Sequence, residues 1–583
     1  MYGPQTEYAQ HLHATKYRGE DESFDDYCIR YARATSEDEG HFRHLLDGLR
    51  EQRILPAGRQ QLAVGRPYEI TAMNCYVGAT IDDTSEAIME ELKHSMLTLR
   101  SGGGCGWDFS TLRPSGDPIR GLGIKAYSTG PVSFMGCWDA MCFTVLSAGH
   151  RRGAMMGVLR VDHPDIMRFI NSKSDQTSLT NFNISVAVTD DFMEALASDS
   201  SYTLSFGGRS YGKVKAVDVW ARIMERNWDW GEPGVLFIDR INQQNPLGYC
   251  EEISATNPCG EQPLPPNGAC LLGSLNLPKY LSEPVLHLVD TGKSAYSLDM
   301  ELLSLDVATA VLAFDKVIDT TRYPLERQRE EQQNKRRMGI GVTGMANALE
   351  IMGLPYASPE YLEKHDEILA LIRDVAYNTS ITLAREKGSF PAFNATKWLK
   401  TGWGKSLPKE LRDRIKKEGL RNGTLLSQAP TGTISMCADN VSSGIEPPYS
   451  LDNRRLVHMP DGQVEVYLKD YALRYYNKAG RTAAEVSAEE HVDVLCRTQQ
   501  YMDSAVSKTC NVNGAKHGQK TDNTVSFEEF KRLYLRAYTG GAKGCTTFNI
   551  NGNRQGIFIK EEAEQDGAAC TIDAETGIRT CDG

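Results

Sequence analysis

The stretch that decides the fold and chemistry of this chain is Ser254–Leu277, which reads SATNPCGEQPLPPNGACLLGSLNL. Within it, Asn257, Cys259 and Glu261 stand at alternate positions. In an extended or looped segment, alternate side chains project to one side, so an amide, a thiol and a carboxylate face one ligand. A thiol held between a hydrogen-bonding amide and a base is typical of a catalytic site rather than of a packing element.

Two further cysteines are candidates for a redox pair. Cys270 follows within the same stretch, and Asn74-Cys75 stands far upstream. For any single cysteine a buried structural role is the common alternative, because a thiol packs as a small apolar group. A zinc site would need matched CxxC pairs, which are absent from the sequence. Two cysteines available as a dithiol, with a third cysteine beside a base, suit radical reduction.

Composition narrows the classes of function. The chain has 583 residues, 40% hydrophobic and 24% charged, as in ordinary globular enzymes. Its formal charge of −12 gives no broad basic surface, so a monomeric nucleotide is a better candidate ligand than a nucleic acid polymer. No apolar run reaches the ~18–20 residues that span a bilayer, and no secretory signal opens the chain. Fourteen dilute cysteines indicate a reducing compartment, and we expect a cytoplasmic protein without membrane contact.

The hydrophobic pattern predicts an α/β fold. Strand-like segments alternate with helical ones, which is typical of layered α/β proteins. The predicted elements are a helix over 36–50 begun by a Ser36/Glu39 capping box, a strand over 74–81 followed by a helix capped at Asp82-Asp83-Thr84, a hairpin over 203–214, a helix over 218–229 and a strand over 234–238.

The chain divides into three predicted regions: a short N-terminal helical region over 1–70, a catalytic region over 71–555 and a tail over 556–583. The tail is acidic and poor in large apolar residues, so we expect it to be flexible. Cys570 and Cys581 lie in it, where core packing is no reason for either. They are candidate redox residues, although their separation of eleven residues is wide for a directly paired dithiol.

Several further stretches carry a family resemblance: His163-Pro164-Asp165-Ile166, Arg337-Met338-Gly339-Ile340-Gly341, Ala429–Ser435 and Ser442–Pro447. With Ser254–Leu277, they resemble the catalytic chain of ribonucleotide reductases, in particular the class II, adenosylcobalamin-dependent group. The resemblance implies a ten-stranded α/β barrel made of two half-barrels, with Cys259 at the tip of a central finger loop. It also implies an oxidoreductase that converts ribonucleotides to deoxyribonucleotides for DNA synthesis.

The resemblance assigns a role to each residue of the site. Cys259 would carry the thiyl radical that abstracts the 3′ hydrogen, which calls for a sulfur shielded from solvent. Glu261 would be the general base for the 3′ hydroxyl, and Asn257 would hold the ribose hydroxyls. Cys75 and Cys270 would supply the reducing equivalents and end as a disulfide. The alternatives are a structural cysteine in a Pro-Gly turn and ordinary polar loop residues.

Substrate binding is predicted at Asn74 and at a stretch of small residues whose amides and hydroxyls can surround a phosphate at a helix N-terminus: Pro430, Thr431, Gly432, Thr433, Ile434 and Ser435. The stretch lacks the GxxxxGK[ST] pattern of a P-loop. The glycine run Gly102–Gly106 is interpreted as a packing element and is assigned no ligand.

The resemblance also implies a site for a deoxynucleotide effector. Asp82 and Arg113 look like its elements, and Lys173 with the residues through Asn183 would connect it to the active site. The alternative for each is a solvated surface charge. No separate N-terminal effector domain is expected, so overall regulation by ATP and dATP is not predicted. A thioredoxin-like reductant is the predicted protein partner, and the chain acts either as a monomer or as a homodimer.

The source of the radical is inferred from what the sequence lacks. It has no C-terminal glycyl-radical loop, and Lys543–Phe548 lacks the adjacent tyrosines that relay a radical from a ferritin-like partner. Adenosylcobalamin therefore remains as the expected cofactor. A class I-like subunit that needs such a partner is the alternative, since Tyr475-Tyr476 is an adjacent pair further upstream. An inert nucleotide-binding regulator would not need the thiols.

Overall fold

The structure is a computed structural model that describes residues 2–119, 124–147, 151–174, 177–282, 296–459, 462–514, 524–553, 570–572 and 579–581. Its helices are α1 Glu7–Tyr17, α2 Phe24–Thr35, α3 Glu39–Arg50, α4 Gly58–Ala63, α5 Ser85–Arg100, α6 Pro131–Thr144, α7 Ile166–Ile170, α8 Asp190–Ala197, α9 Ala216–Trp230, α10 Ile238–Gln244, α11 Met300–Thr320, α12 Glu326–Lys335, α13 Met345–Ile351, α14 Pro359–Lys387, α15 Ala395–Trp398, α16 Gly402–Ser406, α17 Lys409–Glu418, α18 Gly432–Cys437, α19 Tyr471–Tyr476, α20 Ala488–Gln499 and α21 Phe527–Thr539.

The strands alternate with these helices along most of the chain. They are β1 Ile54–Pro56, β2 Cys75–Val77, β3 Gly104–Asp108, β4 Leu146–Ser147, β5 Arg151–Arg152, β6 Met155–Arg160, β7 Phe182–Val188, β8 Ser201–Phe206, β9 Arg209–Lys215, β10 Gly234–Phe237, β11 Ala255–Thr256, β12 Pro263–Leu264, β13 Ala269–Asn276, β14 Leu281–Ser282, β15 Ser297–Leu298, β16 Met338–Thr343, β17 Asp452–Met459, β18 Gly462–Lys469, β19 Thr509–Val512, β20 Gly544–Asn549, β21 Cys570–Ile572 and β22 Arg579–Cys581.

The central sheet closes into a barrel of two parallel halves. In the first half, β2, β3, β6, β7 and β10 run parallel in that order. In the second half, β13 pairs parallel with β16. Isolated parallel bridges then join Ile340 of β16 to Leu426 and Gln428 to Val506. Strand β19 pairs parallel with β20. The halves join through antiparallel pairs, β2 with β13 and β10 with β20. The predicted ten-stranded barrel is confirmed.

The barrel encloses a hairpin and separates two apolar layers. Strands β11 and β12 pair antiparallel, and Ala255 and Leu264 lie in an inner apolar cluster with Cys75, Cys270 and Leu272. The helices pack outside, against a large outer core that contains alternate residues of the same strands, such as Leu271. Because strand side chains alternate between faces, one set fills the barrel and the other anchors the helices. Truncating Leu264 to alanine would cost about 2–5 kcal/mol of unfolding free energy.

Most predicted local elements are confirmed, with changes in their limits. The helix over 36–50 is α3, but Asp38 caps it by accepting the His41 N–H, while Ser36 ends the preceding helix. The strand over 74–81 is only β2, because the chain leaves the sheet after Val77. Thr84 caps α5, as predicted. The hairpin over 203–214 is β8 and β9, and the following helix and strand are α9 and β10.

The predicted N-terminal region is helical apart from β1, which pairs with β13 of the barrel. Its first helix lies close to α18, and the Asp439 carboxylate just beyond α18 accepts the backbone N–H groups of Gln5 and Thr6. Of the predicted tail, 556–569, 573–578 and 582–583 lie outside the described residues. None of the described helices combines the length and apolar character needed to cross a membrane.

Candidate active site

The finger hairpin, which consists of β11, β12 and the turn between them, positions Asn257, Cys259 and Glu261. Its tip, Asn257–Gln262, is fixed by hydrogen bonds across its base: the Asn257 N–H donates to the Gln262 carbonyl at 3.1 Å, and the Gln262 N–H donates to Asn257 Oδ1 at 2.9 Å. The Glu261 carbonyl accepts from Ser427 Oγ at 2.9 Å and from the Ala505 N–H at 3.0 Å. The second half-barrel therefore holds the backbone of the Glu261 side of the tip.

The first half-barrel makes room for the other side of the tip. A Cβ at Gly106 would overlap the Thr256 carbonyl, and one at Gly104 would lie 3.2 Å from the Pro258 ring. Only glycine lets β3 lie this close to the hairpin. This agrees with the interpretation of Gly102–Gly106 as a packing element.

Cys75, Asn257 and Glu261 meet in one buried cluster. The Cys75 thiol donates to Glu261 Oε1 at 3.6 Å, and Asn257 Nδ2 donates to Cys75 Sγ at 3.1 Å. Cys270 stands opposite Cys75 in the antiparallel ladder of β2 and β13, and both thiols are buried and reduced. Residues far apart in sequence are thus adjacent because two antiparallel strands join the half-barrels at this point.

Burial shifts the pKa of each of these groups toward its neutral form. Burial raises the pKa of the Glu261 carboxyl, and hydrogen bonds from Asn257 and Cys75 oppose that shift only in part. Burial likewise raises the pKa of Cys75 and of Cys270 well above the ordinary thiol value. Each cysteine therefore carries its proton at neutral pH and can act as an acid, while Glu261 is a stronger base than an exposed glutamate.

Two buried oxygens, one in this cluster and one on the residue that precedes Cys75, point to a ligand. Glu261 Oε2 and Asn74 Oδ1 have no hydrogen-bond partner among the described residues. An unsatisfied buried acceptor costs about 1–3 kcal/mol. Hydroxyl groups of a bound molecule would satisfy both oxygens.

Cys259 differs from the prediction in one respect. It lies on the exposed side of the tip, between Pro258 and Gly260, whereas radical chemistry calls for a shielded sulfur. A Cβ at Gly260 would meet nothing within 4 Å, so the space beside this turn is open.

The predicted phosphate loop lies at the start of α18. Thr431 has a left-handed φ of 56°, and its hydroxyl accepts the Gly444 N–H at 2.7 Å and bonds Thr343 Oγ1 at 3.0 Å. The first helical bond is from Ser435 to the Thr431 carbonyl, so the amides of 432–434 precede it. Gly432 is exposed, with nothing within 4 Å of an added Cβ. The Thr431 hydroxyl is thus structural, and the helix start beyond it is open.

The predicted effector residues form a separate group. Asp82 is exposed, and Arg113 pairs with the neighbouring Asp83 at 2.6 Å. The structure does not bring Asp82 and Arg113 into contact with the finger tip.

Lys173 is linked to the tip through Glu232, Ile184 and Asn183. It pairs with Glu232 at 2.6 Å, and Glu232 accepts the Ile184 N–H at 3.1 Å. The adjacent Asn183 donates through Nδ2 to the Pro258 carbonyl at 2.8 Å. The end of the predicted connecting segment therefore touches the finger tip directly.

Sequence reasoning missed the supports of the site. Ser427 and Ala505 hold the Glu261 backbone, and Arg337 lies fully buried at the start of β16. The sequence indicates Arg337 only as the first residue of the motif Arg337-Met338-Gly339-Ile340-Gly341. A buried arginine beside a redox cysteine has no signature in sequence, because its neighbours come from other strands.

The tail cysteines face each other along the backbone. Strands β21 and β22 pair antiparallel, with Cys570 directly opposite Cys581. Their role as a redox pair stays a prediction.

Together, a closed barrel of two half-barrels, a central hairpin and thiols on the joining strands define the barrel domain of ribonucleotide reductases. The chain matches the family described as "Ribonucleotide reductase, barrel domain" over residues 73–470 and 467–548. It belongs to this family.

The chain is similar to proteins named vitamin B12-dependent ribonucleoside-diphosphate reductase. It is 36% identical to one from Thermoplasma acidophilum over 84% of this chain and 63% of that protein, and 31% identical to one from Mycobacterium tuberculosis over 88% of this chain and 72% of that protein. It is also 28% identical to the ribonucleoside-diphosphate reductase subunit alpha of Chlamydia muridarum, over 64% of this chain and 40% of that protein. The chain thus spans about two thirds or less of the first and third of these relatives.

Proposed function

We propose that this chain reduces ribonucleoside diphosphates to 2′-deoxyribonucleoside diphosphates by thiyl-radical chemistry, with adenosylcobalamin as cofactor. The observation that carries the proposal is the buried contact of Cys75, Asn257 and Glu261 below the Cys259 turn. The diphosphate specificity and the cobalamin come from the names of the relatives from Thermoplasma and Mycobacterium.

The surroundings of each site residue support one step of the proposed reaction. A radical on Cys259 removes the 3′ hydrogen of the ribose, and Glu261 takes the 3′ hydroxyl proton through its unsatisfied Oε2. Asn257 and Asn74 orient the hydroxyls. Cys75, a neutral thiol, gives its proton to the departing 2′ hydroxyl, which leaves as water. Cys75 and Cys270 then supply two electrons and one further proton and become a disulfide. Glu261 returns its proton to the 3′ oxygen, and Cys259 returns the hydrogen to C3′ and regains its radical.

Adenosylcobalamin would supply the oxidant for Cys259 by homolysis of its Co–C bond. The open space beside Gly260 and the exposure of Cys259 suit access by a large cofactor. Strand β20 contains no tyrosine, so the relay of a class I-like subunit has no counterpart there. Tyr475 and Tyr476 lie in α19 beside Tyr471, in an aromatic cluster.

The remaining partners are proposed on narrower grounds. The open start of α18 suits the substrate phosphates, and Asp82, Arg113 and Lys173 are the proposed effector residues. Cys570 and Cys581 would carry electrons from a thioredoxin-like protein, in the cytoplasm. The chain would act either as a monomer or as a homodimer.

The test is turnover of CDP and CTP by the purified chain with dithiothreitol. Adenosylcobalamin alone should support deoxynucleotide formation, CDP should be preferred to CTP, and hydroxyurea, which quenches tyrosyl radicals, should have little effect. Activity that appears only with a diiron or dimanganese ferritin-like protein would assign the chain to the class I-like alternative.

A further inference from the structure

A buried charge cluster lies behind the redox cysteines. The Arg337 side chain is 2% exposed, and it forms ion pairs with Glu251 and, at 2.8 Å, with Glu331. Lys335 pairs with the same two carboxylates, at 2.8 Å and 2.9 Å. The two cations balance the charge of the two carboxylates. Charge-assisted hydrogen bonds to these carboxylates hold the Arg337 guanidinium in place.

The strand register places this guanidinium beside Cys270. In the parallel pair of β13 and β16, Leu271 is opposite Met338. The residues one position earlier on each strand, Cys270 and Arg337, are therefore also next to each other. Leu271 and Met338 belong to the outer core, while Cys270 belongs to the inner cluster. Because side chains alternate along strands, Arg337 is on the inner face with Cys270.

The two redox cysteines therefore have opposite electrostatic surroundings. Cys75 donates to Glu261, and the charged groups around it raise its pKa further above the value that burial sets. For Cys270, Arg337 lowers the pKa that burial raises, against smaller opposing contributions from Asp503 and Glu261. Burial disfavours a negative charge on either sulfur, but Arg337 stabilises such a charge at Cys270, whereas Glu261 destabilises it further at Cys75.

We propose that Arg337 is a positioning residue that makes Cys270 the sulfur released when the Cys75–Cys270 disulfide is re-reduced. The inference rests on the proposed function for the existence of that disulfide. An incoming thiolate attacks Cys75 Sγ and forms a mixed disulfide with it. The Cys75–Cys270 bond breaks, and its electron pair leaves on Cys270 as a thiolate beside the guanidinium. A second thiol of the reductant then releases Cys75. The thiol with the lower pKa is the better leaving group in such exchange.

The proposal can be tested without nucleotide turnover. The purified full chain is oxidised with diamide, the Cys75–Cys270 disulfide is verified by peptide mapping, and a brief pulse of β-mercaptoethanol is quenched with acid. Mass spectrometry then gives the ratio of adducts on Cys75 and Cys270. We expect at least a roughly tenfold preference for Cys75 in the unaltered chain, and a ratio near one in Arg337→Gln.

Matched variants separate charge from folding. Arg337→Lys keeps the cation and should keep the preference. The double variant Glu251→Gln/Arg337→Gln removes one charge of each sign, which leaves the cluster balanced, and should lose the preference. Arg336→Gln is the control, because Arg336 is also buried but pairs with Asp315 and Asp319 instead.

Each outcome decides the matter. Equal adduct ratios in the unaltered chain and in the variants that lack the cation, or a preference for Cys270, would overturn the role of Arg337. Failure of diamide to join Cys75 to Cys270 would overturn both this role and the proposed reducing pair. A preserved adduct preference in a chain that reduces no nucleotide would leave this inference intact and refute the proposed function.

Discussion

The finger tip and the joining strands beneath it place cysteines in opposite settings. Cys259 lies on an exposed turn with open space beside it, whereas Cys75 and Cys270 are buried on adjacent, hydrogen-bonded strands. Exposure lets an external oxidant reach the first thiol. Burial keeps the other two protonated and close together, as a two-electron donor needs. In the proposed function, the loop would hold the site of radical formation and the adjacent strands the site of reduction.

The largest expected effect comes from removing the exposed thiol. Cys259→Ser should lower deoxynucleotide formation by at least about a thousandfold, because an O–H bond resists homolysis. Nucleotide affinity, measured by equilibrium binding, should stay within about twofold. Cys250→Ser, at another exposed cysteine, should stay active. Substantial turnover by Cys259→Ser would mean that the turn does not carry the radical.

Glu261 links the two settings, and its removal should have the next largest effect. Glu261→Gln should lower kcat by about a hundredfold or more, since general bases contribute roughly 10²–10⁴. In the unaltered chain kcat should fall as pH drops through the raised pKa of Glu261, above the ordinary value of 4.5. The glutamine variant should lack that acidic limb. A limb shared by both proteins would assign it to another group.

The same pKa shift predicts a stability difference. Because folding raises the pKa of Glu261, the folded state favours the protonated form, and stability is lost as pH rises from 4.5 through the folded pKa. The Tm of Glu261→Gln relative to the unaltered chain should therefore increase between pH 5 and pH 8. A difference that shrinks with rising pH would contradict the burial of an ionised carboxylate.

The buried pair needs an external reductant, which the tail cysteines are proposed to bring. In Cys570→Ser/Cys581→Ser, thioredoxin-driven turnover should stop after about one round per active site, while dithiothreitol, which can enter the barrel, should restore it. Rapid-quench counting of product per site measures this. Cys137→Ser is the matched control. Unchanged thioredoxin-driven turnover in the double variant would refute the shuttle.

The smallest effect is expected where the tip meets the proposed effector segment. Asn183→Ala removes the bond to the Pro258 carbonyl and should weaken the response to a deoxynucleotide effector by about 1 kcal/mol, roughly fivefold. Asn171→Ala, which loses a bond from Arg226 and lies outside the segment, is the control. Effector titrations of CDP and ADP reduction measure the difference. Equal responses in both variants would remove Asn183 from the connection.

Much of this protein is determined by its sequence. The alternation of apolar segments predicted an α/β fold, and α9, β10 and the hairpin of β8 and β9 are near their predicted positions. These elements depend on local periodicity, which sequence records directly. The motif around Cys259 identified the family, and the barrel followed from that resemblance rather than from the pattern itself. The start of α3 was misassigned, because two residues near it can both cap a helix.

Only the tertiary structure decided how the site is built. The opposition of Cys75 and Cys270, the support of Glu261 by Ser427 and the burial of Arg337 beside Cys270 all join segments that are distant in the chain. Strand order and register set these contacts, and no local pattern encodes them. The exposure of Cys259 is likewise a property of how its turn leaves the hairpin. The sequence by itself determined which residue types are available for the chemistry. Packing decided which of them are buried, charged or open to a partner. The physical reason is that burial and electrostatic environment arise from neighbours that the linear order does not specify.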